Sequence, residues 1–196
     1  MKRQELAHIL RAACAVSQDE HVLVLGSQSI LGSYDEDDLP EIVTISAEAD
    51  IAFLDDCDRK KADLVEGAIG EMSGFHNLNH YFAEGIHLET VTLPAGWRDR
   101  MVSWEIQSSY PARPLFLDPH DLALSKLVAY RRKDLLFVGA LLEVGLLDRA
   151  TLIERARDLP DSVPAEIVDM VVSWVGSDFR GGSAGQGPTE APRSSG

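Results

Sequence analysis

Cysteine, long apolar runs and positive charge are all scarce in this sequence. Cys14 and Cys57 are the only cysteines among 196 residues, too few and too far apart for a disulfide framework or a cysteine zinc site. No stretch approaches the roughly 18 uncharged apolar residues of a transmembrane helix. The chain begins with basic residues, but the apolar residues that follow are interrupted by His8 and Arg11. This pattern is typical of an amphipathic helix rather than a signal peptide. We therefore expect a cytoplasmic protein with no membrane partner.

The shortage of positive charge limits what the surface can bind. Lysine and arginine number 18 against 32 aspartate and glutamate residues, so the net charge is -14. Such a surface repels phosphate backbones, which argues against nucleic-acid binding over much of the protein. Binding at one basic mouth remains compatible with it, and positive residues gather at Arg98, Arg100 and 131–133. A nucleotide held through a metal ion is not disfavoured.

The N-terminal part of the chain alternates between strand and helix patterns. Apolar residues at helical spacing predict a helix over 2–17, and an apolar run over 21–26 predicts a buried strand that ends at Gly26. A short helix is predicted next, over 27–33. A second strand region is predicted over 41–54, further strands over 86–93 and 101–107, and further helices over 58–70 and 76–83.

The C-terminal part has helical patterns throughout. Asp118 followed by Pro119 is typical of a helix start, and further helices are predicted over 134–145, 148–158 and 164–175. Residues 177–196 are rich in Gly, Ser and Pro and are predicted to be disordered. The sequence thus predicts an α+β fold with a mixed sheet, flanking helices and a helical C-terminal half. We expect a single domain over 1–176, with an α/β core over about 1–115 and a helical part over about 118–176.

The sequence VLVLGSQSI contains a strand that runs into Gly26 and Ser27 before a short helix. Such a turn exposes backbone N–H groups, and glycine lets a phosphate approach the backbone, so it suits a nucleotide phosphate. Alternatively it is an ordinary tight turn in which Ser27 caps the helix. No GKS or GKT follows, which excludes a Walker loop, and the absence of GxSxG excludes a nucleophile elbow.

The sequence SAEADIAF places two acids at alternate positions of a predicted strand. Alternate side chains share one face, so Glu48 and Asp50 are expected to point the same way. Two neighbouring carboxylates repel each other unless a cation lies between them, and oxygen ligands of this kind suit Mg²⁺ together with substrate phosphates. The alternative is a strand that carries two solvent-facing acids with no ligand.

Lys126 lies in DLALSKLVAY, a predicted helix whose apolar residues indicate partial burial. A lysine there is unusual unless it extends to solvent or meets an anion, so Lys126 is either a phosphate ligand or a surface cation with a buried stem. Asp134 follows the basic run 131–133 and is either a site residue or a helix cap. His76 and His80 share a helix face in HNLNH, but the glutamate of HExxH is absent and no third ligand is evident for zinc.

Taken in order, these pieces resemble the nucleotidyltransferase superfamily: a Gly-Ser turn after a strand, an acid-x-acid strand, then a helical lysine and a downstream Lys-Asp. More closely, VLVLGSQSILGS, SAEADIAF and PHDLALSKLVAYRRKDLLFV are similar to the AbiEii/MenT-type toxins of toxin–antitoxin pairs. The resemblance covers roughly residues 20 to 145. It implies that Gly26 and Ser27 hold a nucleoside triphosphate.

By the same resemblance, Glu48 and Asp50 hold Mg²⁺, while Lys126 and Asp134 complete the catalytic site. Glu89 is a candidate third carboxylate. The implied activity is transfer of a nucleotide, typically from CTP or UTP, to the 3′ end of tRNA, which blocks translation, and the implied partner is an antitoxin protein.

Two features depart from the superfamily pattern. The first acid is Glu48 where aspartate is usual, and the segment between the turn and the acids is longer than usual. These departures, with the acidic surface, leave a second hypothesis: a weakly catalytic or inactive module with the nucleotidyltransferase fold that acts through a protein partner.

Overall fold

A mixed sheet and eight α-helices make up the part of the chain that the computed structural model describes, residues 1–104 and 107–177. The strands are β1 (His21–Val24), β2 (Glu48–Ala52), β3 (Phe82–Gly85), β4 (Val102–Ser103) and β5 (Arg113–Phe116). Their order is β3-β2-β1-β5-β4. The β1/β5 and β2/β3 pairs are parallel, and the β1/β2 and β4/β5 pairs are antiparallel.

Four helices belong to the N-terminal part: α1 (Arg3–Ser17), α2 (Glu41–Thr44), α3 (Lys60–Ile69) and α4 (Gly74–Asn79). The apolar face of α1 is buried through Leu6, Ile9 and Leu10, all with no exposed surface, as its helical spacing predicts. This helix packs against α3. Three of the four β1 residues are buried, which is expected for the central strand of the sheet.

Four more helices follow the last strand: α5 (Pro119–Ala129), α6 (Arg132–Glu143), α7 (Arg149–Ala156) and α8 (Ala165–Gly176). Asp118 caps α5 by accepting a hydrogen bond from the backbone N–H of His120 at 2.9 Å. Helix α5 contacts α6, α7 and α8, and it also contacts the 3₁₀ turn Ser27–Gly32 that follows β1. One apolar core contains residues of both halves, so the α+β prediction with a helical C-terminal half is confirmed.

The predicted strand region over 41–54 is wrong in its first part, residues 41–46, whereas its second part contains β2. The first part contains α2, which begins after Pro40, and within it Val43 is the buried residue while Ile42 is 42% exposed. Its β-branched residues favour a strand. However, the Val43 N–H donates to the Pro40 carbonyl at 2.9 Å, so the segment closes on itself instead of joining the sheet.

The strand assignments nearer the middle of the chain are displaced. The predicted helix over 76–83 ends earlier, with α4 at Asn79, and β3 begins at Phe82. The predicted strand over 86–93 is wrong, since it contains the 3₁₀ turn Leu88–Thr90. The predicted strand over 101–107 is limited to β4 in its described part, and residues 105–106 lie outside it. β5 was not predicted.

Two expectations concern the end of the chain and the membrane. The predicted disorder over 177–196 falls, apart from its first residue, outside the described residues. Within residues 1–104 and 107–177, no helix combines the length and apolar character needed to cross a bilayer.

Candidate functional site

Three carboxylates meet at the edge formed by β2 and β3. Glu48 and Asp50 alternate with the buried Ala49 on β2 and therefore share one face of the strand. Glu84 on β3 is the direct parallel partner of Asp50. Glu48, Asp50 and Glu84 each offer an oxygen, and these oxygens all lie within 4.8 Å of one another. The sheet thus concentrates negative charge at one place.

The proximity of these acids shifts two pKa values. Burial raises the pKa of Asp50 and the charge of Glu84 raises it further, although Lys126 and Lys133 act in the opposite sense. A hydrogen bond with Glu48 raises the pKa of Glu84, with burial and the Glu48 charge adding to the effect. Burial, hydrogen bonding and the neighbouring negative charge thus all shift these carboxylates towards the protonated form, as expected of a site that a bound cation would neutralise.

The donor set fits a divalent cation with a preference for oxygen. Three carboxylates and no nitrogen or sulfur ligand suit Mg²⁺ or Mn²⁺. In the described part of the chain, this is the one cluster of three or more histidine, cysteine or acidic side chains close enough to hold a metal. The pair His76 and His80 does not belong to such a cluster, so the zinc alternative has no support among these residues.

Gly26 lies directly against Asp50. A Cβ atom built at position 26 would come within 1.4 Å of Asp50 Oδ2 and 2.4 Å of its Cγ, so no other residue fits without moving the carboxylate. The backbone holds the same two segments together, because the Leu25 N–H donates to the Asp50 carbonyl at 3.0 Å. The Gly-Ser turn is thereby fixed beside the acidic cluster.

Lys126 extends from α5 to this turn. Its Nζ donates to Ser27 Oγ at 2.9 Å and to Asp134 Oδ1 at 3.3 Å, and it lies 4.6 Å from the centre of the Phe137 ring. The Lys126 and Asp134 side chains are only 12% and 5% exposed. Burial lowers the pKa of Lys126, while the charges of Asp134 and Asp50 oppose this shift. Lys126 is therefore not a cation that reaches into solvent.

Asp134 is a buried acid with unused hydrogen-bonding capacity. It lies in the first turn of α6 but does not cap it, because the N-cap is Arg131. Its Oδ1 meets Lys126, whereas its Oδ2 has no hydrogen-bond partner within the described residues. A buried carboxylate oxygen without a partner is costly, which is more typical of a functional site than of a purely structural ion pair.

All these groups line one cavity of about 850 Å³, a volume in the range of small-molecule sites. One end carries the acids, the Gly-Ser turn and Lys126. The wall also includes Ile42, Ile45 and Leu136, which are 42%, 74% and 40% exposed. The cavity brings together all six residues that the sequence singled out: Gly26, Ser27, Glu48, Asp50, Lys126 and Asp134.

The third carboxylate differs from the expected one. Glu89 forms an ion pair with Arg59 and is 57% exposed, and Glu84 stands in the acidic cluster instead. The only sequence signal for Glu84 was an acid in a short segment, FAEG, with no clear alternation. Its position follows from the parallel register with β2, which the sequence alone does not contain.

Comparison with known protein families gives one match. A family model described as a nucleotidyltransferase of unknown function (DUF6036) matches residues 4–174, which include every residue of the cavity. No curated protein and no solved structure gives a significant match.

Proposed function

Because the chain belongs to this family of nucleotidyltransferases of unknown function, we propose that the cavity is an active site that transfers a nucleotide from a nucleoside triphosphate to a hydroxyl acceptor. One observation carries the proposal. The acids Glu48, Asp50 and Glu84 adjoin a glycine turn that touches Lys126, so a cation site and a phosphate site lie side by side. Transfer of a phosphoryl or nucleotidyl group depends on positioning of the substrates and on compensation of the negative charge of the phosphates.

The proposed binding roles follow from charge and burial. Gly26 and Ser27 hold the triphosphate through the exposed backbone of the turn, and Lys126 places a positive charge beside it. Asp134 fixes the Lys126 ammonium group through their buried contact. The three carboxylates would hold Mg²⁺, which when bound supplies the positive charge that offsets the charge of the leaving pyrophosphate.

The proposed reaction is an in-line displacement at the α-phosphorus. The acceptor oxygen forms a bond to that phosphorus, the bond from the phosphorus to the bridging oxygen of the β-phosphate breaks, and pyrophosphate leaves. The proton of the acceptor hydroxyl is released to solvent as the new bond forms. The nucleobase lies against the exposed aliphatic wall of Ile42, Ile45 and Leu136.

We further propose the acceptor and the biological role that the resemblance to AbiEii/MenT-type toxins implies. The acceptor is the 3′ end of tRNA, the donor is CTP or UTP, and the modification blocks translation in the cytoplasm until an antitoxin protein neutralises the enzyme. The support is the order of three stretches, VLVLGSQSILGS, SAEADIAF and PHDLALSKLVAYRRKDLLFV. These stretches contribute the turn, the β2 acids and the α5–α6 segment of the cavity.

A turnover assay tests the proposal. The full chain is incubated with Mg²⁺, total tRNA and each labelled nucleoside triphosphate in turn, and incorporation of label into RNA is measured. We expect the wild type to label tRNA with a pyrimidine nucleotide and the Asp50→Ala and Lys126→Ala variants to label none. Labelling by both variants at the wild-type rate contradicts the site assignment.

The second candidate is a module with the same fold that binds a protein partner and turns over slowly or not at all. Glu48 in place of the usual aspartate and the net charge of -14 favour it. Under this hypothesis the wild type incorporates no nucleotide with any donor or acceptor. Nucleotide binding does not separate the two candidates, because both retain the cavity, whereas incorporation of label does.

A further inference from the structure

The beginning of α6 carries three consecutive cations, Arg131, Arg132 and Lys133, all exposed. Arg131 is the N-cap residue, and no side chain caps the helix. Positive charges are unfavourable at a helix N-terminus, where the unpaired N–H groups and the helix dipole already place positive charge. The three cations therefore destabilise the start of α6. Residues that destabilise their local structure are expected at functional positions.

Most other cations of the described chain are neutralised by carboxylates. The ion pairs are Arg3–Asp35, Arg59–Glu89, Lys60–Asp58, Lys61–Asp19, Arg100–Asp121, Arg113–Glu20, Lys126–Asp134, and Arg155 with both Asp118 and Asp121. Arg131, Arg132 and Lys133 have no carboxylate within ion-pair distance among residues 1–104 and 107–177. In a protein with 32 acids, this triplet is an unneutralised positive surface.

The triplet lies at the mouth of the active-site cavity. Arg131 and Lys133 line the cavity, and the charge of Lys133 acts on both Asp50 and Glu84. Tyr130 precedes the triplet in a left-handed conformation with φ 51°, ends α5, and is 38% exposed. An exposed aromatic ring next to several cations is the composition that binds single-stranded nucleic acid, through base stacking and phosphate contacts.

We propose that Arg131, Arg132 and Lys133 bind the phosphates of a single-stranded RNA end and direct its terminal hydroxyl into the cavity. This inference rests on the proposed function and adds the residues that bind the RNA acceptor at the mouth of the cavity. The buried Lys126 at the Gly-Ser turn binds the triphosphate, and the exposed triplet binds the part of the RNA that extends beyond the cavity. Because the net charge of the chain is -14, much of the remaining surface repels RNA, and we expect RNA to be held mainly at this mouth.

RNA fits the triplet better than an acidic protein acceptor does. A single strand presents regularly spaced phosphates, each of which can meet one cation, and a base that can stack on Tyr130. An acidic protein segment offers carboxylates without such bases. The net charge of -14 also repels an acidic protein over a larger contact area than it repels a narrow single strand.

The test compares two double variants with equal loss of charge. Arg131→Gln/Lys133→Gln removes the two cations that line the cavity, and Arg98→Gln/Arg157→Gln removes two exposed cations that lie outside it. The affinity for a fluorescent single-stranded RNA of about 12 nucleotides is measured over a range of salt concentrations. Binding of a fluorescent nucleoside triphosphate with Mg²⁺ and the melting temperature are measured alongside.

We expect Arg131→Gln/Lys133→Gln to bind RNA roughly tenfold more weakly than the wild type. The slope of log affinity against log salt concentration should become smaller by about 1.4, because each phosphate contact to a single strand contributes about 0.7. The triphosphate affinity of this variant should fall by less than its RNA affinity, because Lys126 at the Gly-Ser turn is unchanged. Its melting temperature should be equal or higher, because two unfavourable charges leave the helix N-terminus. The control variant should bind RNA like the wild type.

Three outcomes overturn the proposal. The two double variants bind RNA equally well, or Arg131→Gln/Lys133→Gln loses triphosphate affinity instead of RNA affinity, or the wild-type protein binds a polyglutamate peptide but not RNA. The result also separates this inference from the proposed function. If the wild type binds RNA through the triplet but incorporates no nucleotide, the binding surface stands and the transferase proposal fails.

Discussion

The ammonium group of Lys126 donates to Ser27 Oγ at 2.9 Å across 99 positions of sequence, and the same group is the partner of the buried Asp134. This contact joins the helical half of the chain to the turn that follows β1. Under the proposed function, we expect the lysine to have two separable roles, one in stability and one in binding phosphate.

Replacement of Lys126 by methionine should therefore affect both stability and activity. We expect the free energy of unfolding to fall by about 3–5 kcal/mol, because the Asp134 carboxylate is left buried without its partner. The Lys126→Met/Asp134→Asn variant should recover most of this loss but still transfer no nucleotide. Urea unfolding and the incorporation assay measure the two effects.

The exposed pair of Lys60 and Asp58 provides the control. Lys60→Met should leave both unfolding and incorporation unchanged, as is usual for surface ion pairs. A stable and active Lys126→Met protein would contradict both roles.

Gly26 is predicted to tolerate no side chain. In Gly26→Ala the new methyl group occupies the place of Asp50 Oδ2, so the carboxylate must move out of the acidic cluster. We expect incorporation to be lost and stability to fall by about 1–3 kcal/mol, as for other overpacked sites. Gly67→Ala is the matched control, because nothing lies within 4 Å of a Cβ there and the residue is in α3.

The control should gain about 0.5–1 kcal/mol of stability, since alanine loses less conformational freedom than glycine in a helix. If Gly26→Ala keeps full activity, Asp50 is not held where the site requires it.

The residues of the site were easier to predict from sequence than the path of the chain between them. Gly26, Ser27, Glu48 and Asp50 lie on a buried strand, its turn and an alternating strand, where local pattern determines which way a side chain points. Lys126 was ambiguous because its surroundings depend on the packing of α5 against the turn after β1.

Long-range pairing accounts for what the sequence did not predict. Glu84 belongs to the cluster because β3 pairs with β2 in parallel register. The sequence of a four-residue segment does not indicate which strand it pairs with or in which register. β5 contains Pro114, which argues against a strand interior. It is tolerated because β4 pairs only with Leu115 and Phe116 in the described register, so Pro114 lies beyond the end of β4.

Binding of Mg²⁺ should stabilise the protein through the three carboxylates. At a concentration ten times the dissociation constant, a cation that binds only the folded state contributes about 1.4 kcal/mol, or about 3–6 °C in melting temperature for a chain of this size. We expect this shift in the wild type and in Glu89→Gln, and its loss in Asp50→Asn and Glu84→Gln.

The same variants test the repulsion within the cluster. Without Mg²⁺, Glu84→Gln should be at least as stable as the wild type, because the amide removes a like charge beside Glu48 and retains a hydrogen-bond donor. If Glu89→Gln loses the Mg²⁺ shift while Glu84→Gln keeps it, the assignment of the third carboxylate is wrong.

The network around Asp118 should make stability depend on pH in the acidic range. Burial alone would raise the pKa of Asp118, but hydrogen bonds from His120 and Arg155 outweigh it and hold the pKa well below its usual range. A group with a lowered pKa in the folded state stabilises fully above its unfolded pKa, about 3.9. That contribution is lost as the pH falls further towards the folded value.

Asp118→Asn isolates this contribution, because asparagine can still cap α5 but cannot form the ion pair with Arg155. We expect the variant to be less stable than the wild type by about 1–3 kcal/mol at pH 7, the value of a hydrogen bond to a charged group. The difference should shrink as the pH is lowered below 3.9, as measured by urea unfolding at each pH. Asp58→Asn, at an exposed ion pair, should show a much smaller difference, because solvent screens surface ion pairs. A deficit in Asp118→Asn that is equally large in acid would show that the ionised carboxylate is not its cause, and would assign the loss to the cap or to packing instead.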